Sequence, residues 1–172
     1  MARIVSINIS ARKGVQKRSV GNVPQVVVAD RGLENDAHAG AWHRQLSFLA
    51  EESIAKARKR GLEVGPGDFA ENFTTEGIDL LDLPLGTQLR LGNEVLVEVS
   101  QIGKVCHTRC SIYHLAGDCI FPREGIFAVV LQGGTVAAGD AIEVVKRGDG
   151  TCAHTPPEAL AEVEAARKAG TL

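Results

Sequence analysis

A mainly β fold, curled into a closed or nearly closed barrel with a helix at the C-terminal end, is predicted by three features of this chain. At least six short segments carry the alternation or the β-branched runs of strands, and glycine-bearing turns separate them at short spacing. Aromatic residues make up only 4% of the sequence, so core volume falls to Val, Ile, Leu and Ala, while nineteen glycines supply tight turns. At 172 residues the chain has room for one domain with a terminal appendage and not for two full domains.

Taken in order, residues 3–9 place apolar side chains at alternating positions and read as the first strand. The basic stretch from Lys13 to Ser19 reads as a loop, and Val26-Val27-Val28 as a short strand. Residues 50–60 are good helix formers, with Leu49, Ile54 and Ala57 spaced for one face and Gly61 placed as a stop. After the break at Gly65-Pro66-Gly67, residues 89–99 read as a hairpin about Gly92-Asn93. Residues 126–131 and 142–145 add two more strands, the second behind a glycine turn at Gly139. Gly148-Asp149-Gly150 marks a boundary, and beyond Pro156-Pro157 residues 158–168 carry acids first, bases last and Gly170 as a stop, the pattern of a helix. The expected division is residues 1–147 as the barrel and 148–172 as linker and C-terminal helix. That helix offers only Leu160, Val163 and alanines for burial, which suits weak docking on the barrel or against a second subunit of a homo-oligomer.

Nineteen Lys and Arg against twenty-one Asp and Glu leave a formal charge of −2, a balance that recruits neither nucleic acid nor an anionic membrane. No run approaches the ~18 apolar residues of a membrane span, and the start of the chain lacks the apolar block of a signal peptide. The expected compartment is therefore the cytoplasm, where Cys106, Cys110, Cys119 and Cys152 are thiols rather than disulfides.

Three clusters carry possible chemistry. The first is Gln101-Ile102-Gly103-Lys104-Val105-Cys106-His107-Thr108-Arg109-Cys110, directly after a predicted strand. Lys104, His107 and Arg109 favour the reactive, metal-ligating form of a neighbouring thiol, although a pair of cysteines also serves as plain core filler. Cys106, His107, Cys110 and Cys119 include the donor types of a zinc site, but their spacing lacks the paired knuckles such sites use. The second cluster, residues 32–40 with Asp36 and His38, is followed by His43 and Arg44. Small residues there bring backbone close to a ligand, or Asp36 merely caps a turn. The third, residues 67–74, holds Glu71 and Asn72.

The combination Asp36-Ala37-His38-Ala39-Gly40, Glu71-Asn72, Cys106 and Arg123-Glu124-Gly125, in this order over residues 2–146, resembles the MOSC domain, named for the C-terminal part of molybdenum cofactor sulfurases. Where that loop usually has glycine before its aspartate this chain has Asn35, the non-glycine residue most at ease with positive φ. The resemblance implies a MOSC-like β-barrel that binds the molybdenum cofactor or handles sulfur. It implies that Cys106 is the metal ligand or persulfide carrier, working with sulfur donor or acceptor proteins. Alternatives of other classes are a molybdenum-dependent reductase component acting on N-hydroxylated compounds and a carrier or insertion partner without turnover. Because the cofactor carries phosphate, Lys104, Arg109, Arg123, His43 and Arg44 are candidate anion contacts, Arg123 and Arg44 first, beside Asp36, His38, Glu71 and Asn72 from the shared motifs. Pyridoxal phosphate chemistry is not expected of this chain alone, since no lysine-bearing cofactor domain fits in its length.

Overall fold

The computed structural model describes residues 1–172, the side chain of Ala116 excepted. Eleven strands and four helices follow one another as β1 (Arg3–Ile9), β2 (Arg18–Ser19), β3 (Gln25–Val28), β4 (Gly32–Leu33), β5 (Leu46–Ala50), α1 (Glu51–Lys59), β6 (Phe73–Glu76), β7 (Gln88–Leu91), β8 (Val95–Ile102), α2 (Ser111–Ala116), α3 (Phe121–Glu124), β9 (Ile126–Gln132), β10 (Gly134–Val136), β11 (Ile142–Lys146) and α4 (Pro157–Lys168). A single 3₁₀ turn at Leu80–Asp82 lies between β6 and β7.

The main sheet runs in the order β11-β7-β8-β9-β5-β6-β1-β2, and β10-β3-β4 form a second, three-stranded sheet. All pairings are antiparallel except β5 with β6. The large sheet curls until β1 meets the segment leading into β11. Ile4 N–H donates to Asp140 O at 2.9 Å, Gly139 N–H to Ile4 O at 2.8 Å and Ile142 N–H to Ala2 O at 3.0 Å. These bonds tie the start of the edge strand β11 to β1 and shorten the open row of donors and acceptors at that edge.

Alternation along the strands divides the apolar residues between two cores. Ile4, Ile7, Phe48, Phe73, Leu89, Leu91, Val97, Val99, Ile126, Ala128 and Val130 share one cluster, with Phe48 and Phe73 stacked at 5.0 Å. Leu49 and Phe127 belong instead to a second cluster with Ile54 and Ala57 of α1, Ile112 of α2 and Phe121 of α3. Every residue of β5 is buried, because the strand has a core on each face.

Two expectations are corrected. The loop expected over residues 13–19 ends in β2, where Arg18 and Ser19 pair with Ile9 and Asn8. Leu49 is not on the helix with Ile54 and Ala57; it is the outward residue of β5 and meets them from the sheet. The strand escapes an alternation test because both of its faces are buried, and it runs into α1 without a turn. The helix stop is as expected: Gly61 (φ +93°) donates to Arg58 O at 2.9 Å and Leu62 to Ala57 O at 3.3 Å, the paired bonds of a Schellman motif.

The C-terminal segment lies along β8. The Thr155 hydroxyl donates to Ser100 O, Arg167 Nη2 donates to Ile102 O at 3.0 Å, and Val163 is buried. No helix of the described residues is long and apolar enough to cross a membrane.

Candidate functional site

The loop joining β8 to α2 is pinned at its root. Gly103 N–H donates to Gly125 O at 2.7 Å and Lys104 N–H to Pro122 O at 3.0 Å. Gly103 has φ +74°, and a Cβ on it would stand 2.8 Å from Pro122 O, so only glycine fits without a shift. Gln101 supports the same corner. Its amide donates to Gly103 O at 2.8 Å while its Oε1 lies 2.8 Å from His43 Nε2. His43 is itself clamped to β8 through its carbonyl, which accepts from the Ser100 hydroxyl.

Beyond this root Cys106 is exposed, whereas Cys110, Cys119 and Cys152 are half-buried. Burial pushes the Cys119 thiol up to about 11 and raises that of Cys152, which donates to Glu98 Oε1 at 3.3 Å. Those two thiols therefore stay protonated near neutral pH. Among the described residues no group of three or more His, Cys, Asp or Glu is arranged to hold a metal ion, so the cysteines do not form a zinc cage.

Cys106 stands on the wall of a cavity of about 350 Å³ whose other walls include Arg44, Lys104, His38, Trp42 and Ala70. The Arg44 guanidinium lies between two rings, 4.7 Å from the centre of Trp42 and 5.4 Å from that of Phe127, and its buried Nε has no hydrogen-bond partner. Burial lowers the Arg44 pKa, while the charges of Glu162 and Cys106 work against that shift. Lys104 Nζ lies 5.8 Å from the Phe121 ring and Lys13 Nζ 5.5 Å from Trp42. One exposed thiol thus shares a pocket with cationic groups, apolar rings and a hydrogen-bond donor that has nothing to bind.

The loop opposite Cys106 is organised by Asp36. Its carboxylate accepts from Ser10 N–H and His38 N–H, both at 3.1 Å, and from Lys17 Nζ at 2.6 and 2.7 Å. Burial works to raise the Asp36 pKa, but the Lys17 charge and these hydrogen bonds outweigh it and hold the carboxyl below its ordinary range. Asn35 has φ +65°, the conformation anticipated for the residue that replaces glycine. His38 lines the cavity with a buried Nδ1 that has no hydrogen-bond partner. Burial, then the charges of Lys17, Lys13 and Lys104, pull its pKa down to about 4 against the attraction of Asp36. At neutral pH His38 is an uncharged imidazole, suited to hydrogen bonding rather than to carrying charge.

Glu71 and Asn72 lie behind the cavity and do not line it. Asn72 Oδ1 accepts from the Ser47 amide and hydroxyl at 3.1 and 3.0 Å, joining its turn to β5, and Ser47 in turn faces the cavity. Glu71 Oε1 accepts from Gly67 N–H at 2.6 Å and the Thr74 hydroxyl at 2.7 Å, while its other oxygen is buried without a partner. Burial raises its pKa to about 7. The turn they fix leaves Ala70 at φ +64°, a conformation that costs an alanine on the order of 1–2 kcal/mol, at the cavity wall.

The MOSC domain family model matches residues 35–143, from the Asp36 loop through the Cys106 loop to β11. The chain belongs to the MOSC domain family. Three solved structures share its fold over 82–99% of its length. YiiM from Geobacillus stearothermophilus superposes with a TM-score of 0.68 at 25% identity, over 87% of this chain and 78% of that one. YiiM from Escherichia coli gives 0.68 at 19% identity over 99% and 94%. YuaD from Bacillus subtilis gives 0.68 at 17% identity over 82% and 93%. Comparison with the curated proteins finds no match. The family is associated with the molybdenum cofactor.

Within this MOSC domain the residues expected from sequence divide into three groups. Cys106, His38, Arg44 and Lys104 line the cavity together. Asp36, His43, Glu71 and Asn72 hold the loops that form it. Arg109 and Arg123 line a neighbouring cavity that also includes Cys106. Sequence reading missed Lys17, Trp42, Ser47 and Phe127. Lys17 read as one of several charges in a basic loop, and only the fold shows its side chain to be fully buried on Asp36.

Proposed function

We propose that this MOSC domain binds the molybdenum cofactor in the 350 Å³ cavity, with Cys106 as the metal ligand or the carrier of a transferable sulfur. The observation that carries the reading is the placement of the exposed thiol in one pocket with Arg44 and Lys104. The donor set fits the group: a soft thiolate for molybdenum, cations for a phosphate, and the unpartnered Nε of Arg44 and Nδ1 of His38 for polar atoms of the ligand. When bound, the cofactor supplies a metal centre that accepts thiolate and changes oxidation state.

The chain's own residues do the rest. Arg44, stiffened between Trp42 and Phe127, presents its guanidinium without having to order a long side chain first. Neutral His38 binds through a ring nitrogen and adds no charge to compete with Arg44 and Lys104. Asp36, with Lys17, fixes the backbone of the His38 loop, and Gln101 with His43 fixes the base of the Cys106 loop. In the sulfur-carrying role, the Cys106 thiolate attacks the outer sulfur of a donor protein's persulfide. The new S–S bond leaves a persulfide on Cys106, and the donor departs as its thiolate, with no net oxidation.

Protection of the thiol tests the reading. Cofactor released from a molybdenum protein is added to the apo-protein, and Cys106 alkylation by iodoacetamide is followed by peptide mapping. Bound molybdenum together with slowed alkylation at Cys106 is the expected result; molybdenum bound while Cys106 alkylates at its original rate contradicts it.

A further inference from the structure

Cys106 also opens on a second cavity, of about 230 Å³. It shares the three clustered cysteines with the first cavity, and its further walls include Arg109, Tyr113, Arg123 and Asp118 and, from the C-terminal segment, Ala166 and Leu172. We propose that this second cavity binds the small-molecule reaction partner of Cys106, and that the partner is a planar ring bearing a carboxylate. The inference rests on the reading of Cys106 as the reacting thiol and adds what that thiol meets on its other side.

Size sets the first limit. At about 230 Å³ the cavity lies just below the ~300–1,000 Å³ of drug-sized pockets, a size that suits one substituted ring. Charge sets the second. The Arg109 guanidinium stacks on Tyr113 with Cζ 4.3 Å from the ring centre, and among the described residues no carboxylate lies within 4.0 Å of it. A stacked guanidinium keeps its N–H edge free for a carboxylate in its own plane. Arg123 differs, because Asp118 already lies 3.1 Å from its Nη2. Arg109 is therefore the anion contact, and Tyr113 and Ala166 offer apolar surface to the ring.

Two contacts fix α4 beside the Cys106 loop. Arg167 binds Ile102 O at 3.0 Å, and Glu162 Oε1 lies 2.7 Å from Nε2 of His107, the residue next to Cys106. The helix lies outside residues 35–143, the stretch matched by the family model, so it adds a wall to the thiol's surroundings that the matched region does not supply.

The test compares how fast the Cys106 thiolate of the purified full chain exchanges with two aromatic disulfides. One is the dianionic disulfide of thionitrobenzoate and the other a neutral dipyridyl disulfide. In each case Cys106 forms a mixed disulfide and one aryl thiolate leaves, so electrons balance without another oxidant. Peptide mapping counts the Cys106 adduct alone. Arg109→Gln should slow the dianionic reagent about fivefold and the neutral one less than about twofold, as loss of a contact worth roughly 1 kcal/mol requires. Ala166→Trp, which fills the cavity, should slow both disulfides about tenfold or more and leave iodoacetamide alkylation within about twofold. Equal effects of Arg109→Gln on both disulfides, or unchanged disulfide rates in Ala166→Trp, overturn the proposal. So does a loss of all three rates together, because it marks simple occlusion of the thiol. Failure of the cofactor reading appears separately, as wild-type protein without molybdenum, a readout independent of these rates.

Discussion

Lys17 and Asp36 form an ion pair closed off from solvent, with Nζ 2.6 and 2.7 Å from the two carboxylate oxygens and side chains 0% and 1% exposed. The pair connects the loop before β2 to the loop that carries His38, so it shapes one wall of the cavity from behind. Removing one partner leaves the other charged and buried. Lys17→Met should therefore cost about 3–5 kcal/mol in urea unfolding. Lys17→Met combined with Asp36→Asn should recover more than half of that loss, since no unpaired charge then remains.

Glu71, buried behind the cavity, and His38, half-buried in its wall, give opposite dependences of stability on pH. Glu71 has a folded-state pKa of about 7 against an ordinary 4.5, so its contribution is full below pH 4.5 and is lost as pH rises toward 7. His38 is lowered from 6.5 to about 4, so its contribution is full above pH 6.5 and is lost as pH falls toward 4. Between pH 4.5 and 6.5 the two slopes oppose each other. Glu71→Gln should accordingly gain stability relative to the wild type as pH rises from 4.5 to 7, by on the order of 3 kcal/mol. Unfolding curves at pH 5 and pH 8 measure this; a constant difference between the two proteins is the contrary result.

Exposure and protonation rank the thiols. Cys106 is open to solvent, whereas burial holds Cys119 at about 11 and raises Cys152. Brief iodoacetamide treatment of the folded protein near neutral pH should label Cys106 first and Cys119 and Cys152 last, as read by peptide mapping.

The C-terminal segment adds contacts to the outside of β8 rather than a strand to the sheet. We expect deletion of residues 153–172 to leave the β signal in circular dichroism, consistent with a barrel made by residues 1–147. The loss should include about 1.5–3 kcal/mol for the burial of Val163 alone. Disappearance of the β signal would show that the barrel needs α4 to fold, and a change in mass by light scattering would mark the segment as an assembly element.

Strands with one buried face, a clear turn or a β-branched run were readable from sequence. β1, the hairpin of β7 and β8, β9 and β11 all fall where alternation or β-branched runs place them. β5 and β6 were not readable, for opposite reasons. Leu46–Ala50 is apolar toward both cores and flows into α1, whereas Phe73–Glu76 buries Thr74 and Thr75, polar residues that mark no strand face. The same division holds for the site. Cys106, Arg44 and His38 stand out by residue type, but the pairing of Lys17 with Asp36 and the approach of Ala166 and Leu172 to Cys106 join distant parts of the chain. Only the folded topology brings those residues together.

We propose that Cys106 holds the cofactor's metal or its transferable sulfur. The direct measurement is molybdenum content and cyanide-labile sulfur of wild type and Cys106→Ser, each purified from cells with an intact cofactor pathway, beside their melting temperatures. A hydroxyl is a poor substitute for a soft thiolate, and Cys106 is exposed. The account predicts molybdenum or labile sulfur in the wild type, its loss in Cys106→Ser, and stabilities within about 0.5 kcal/mol of each other. Equal molybdenum and labile sulfur in the two proteins would contradict it.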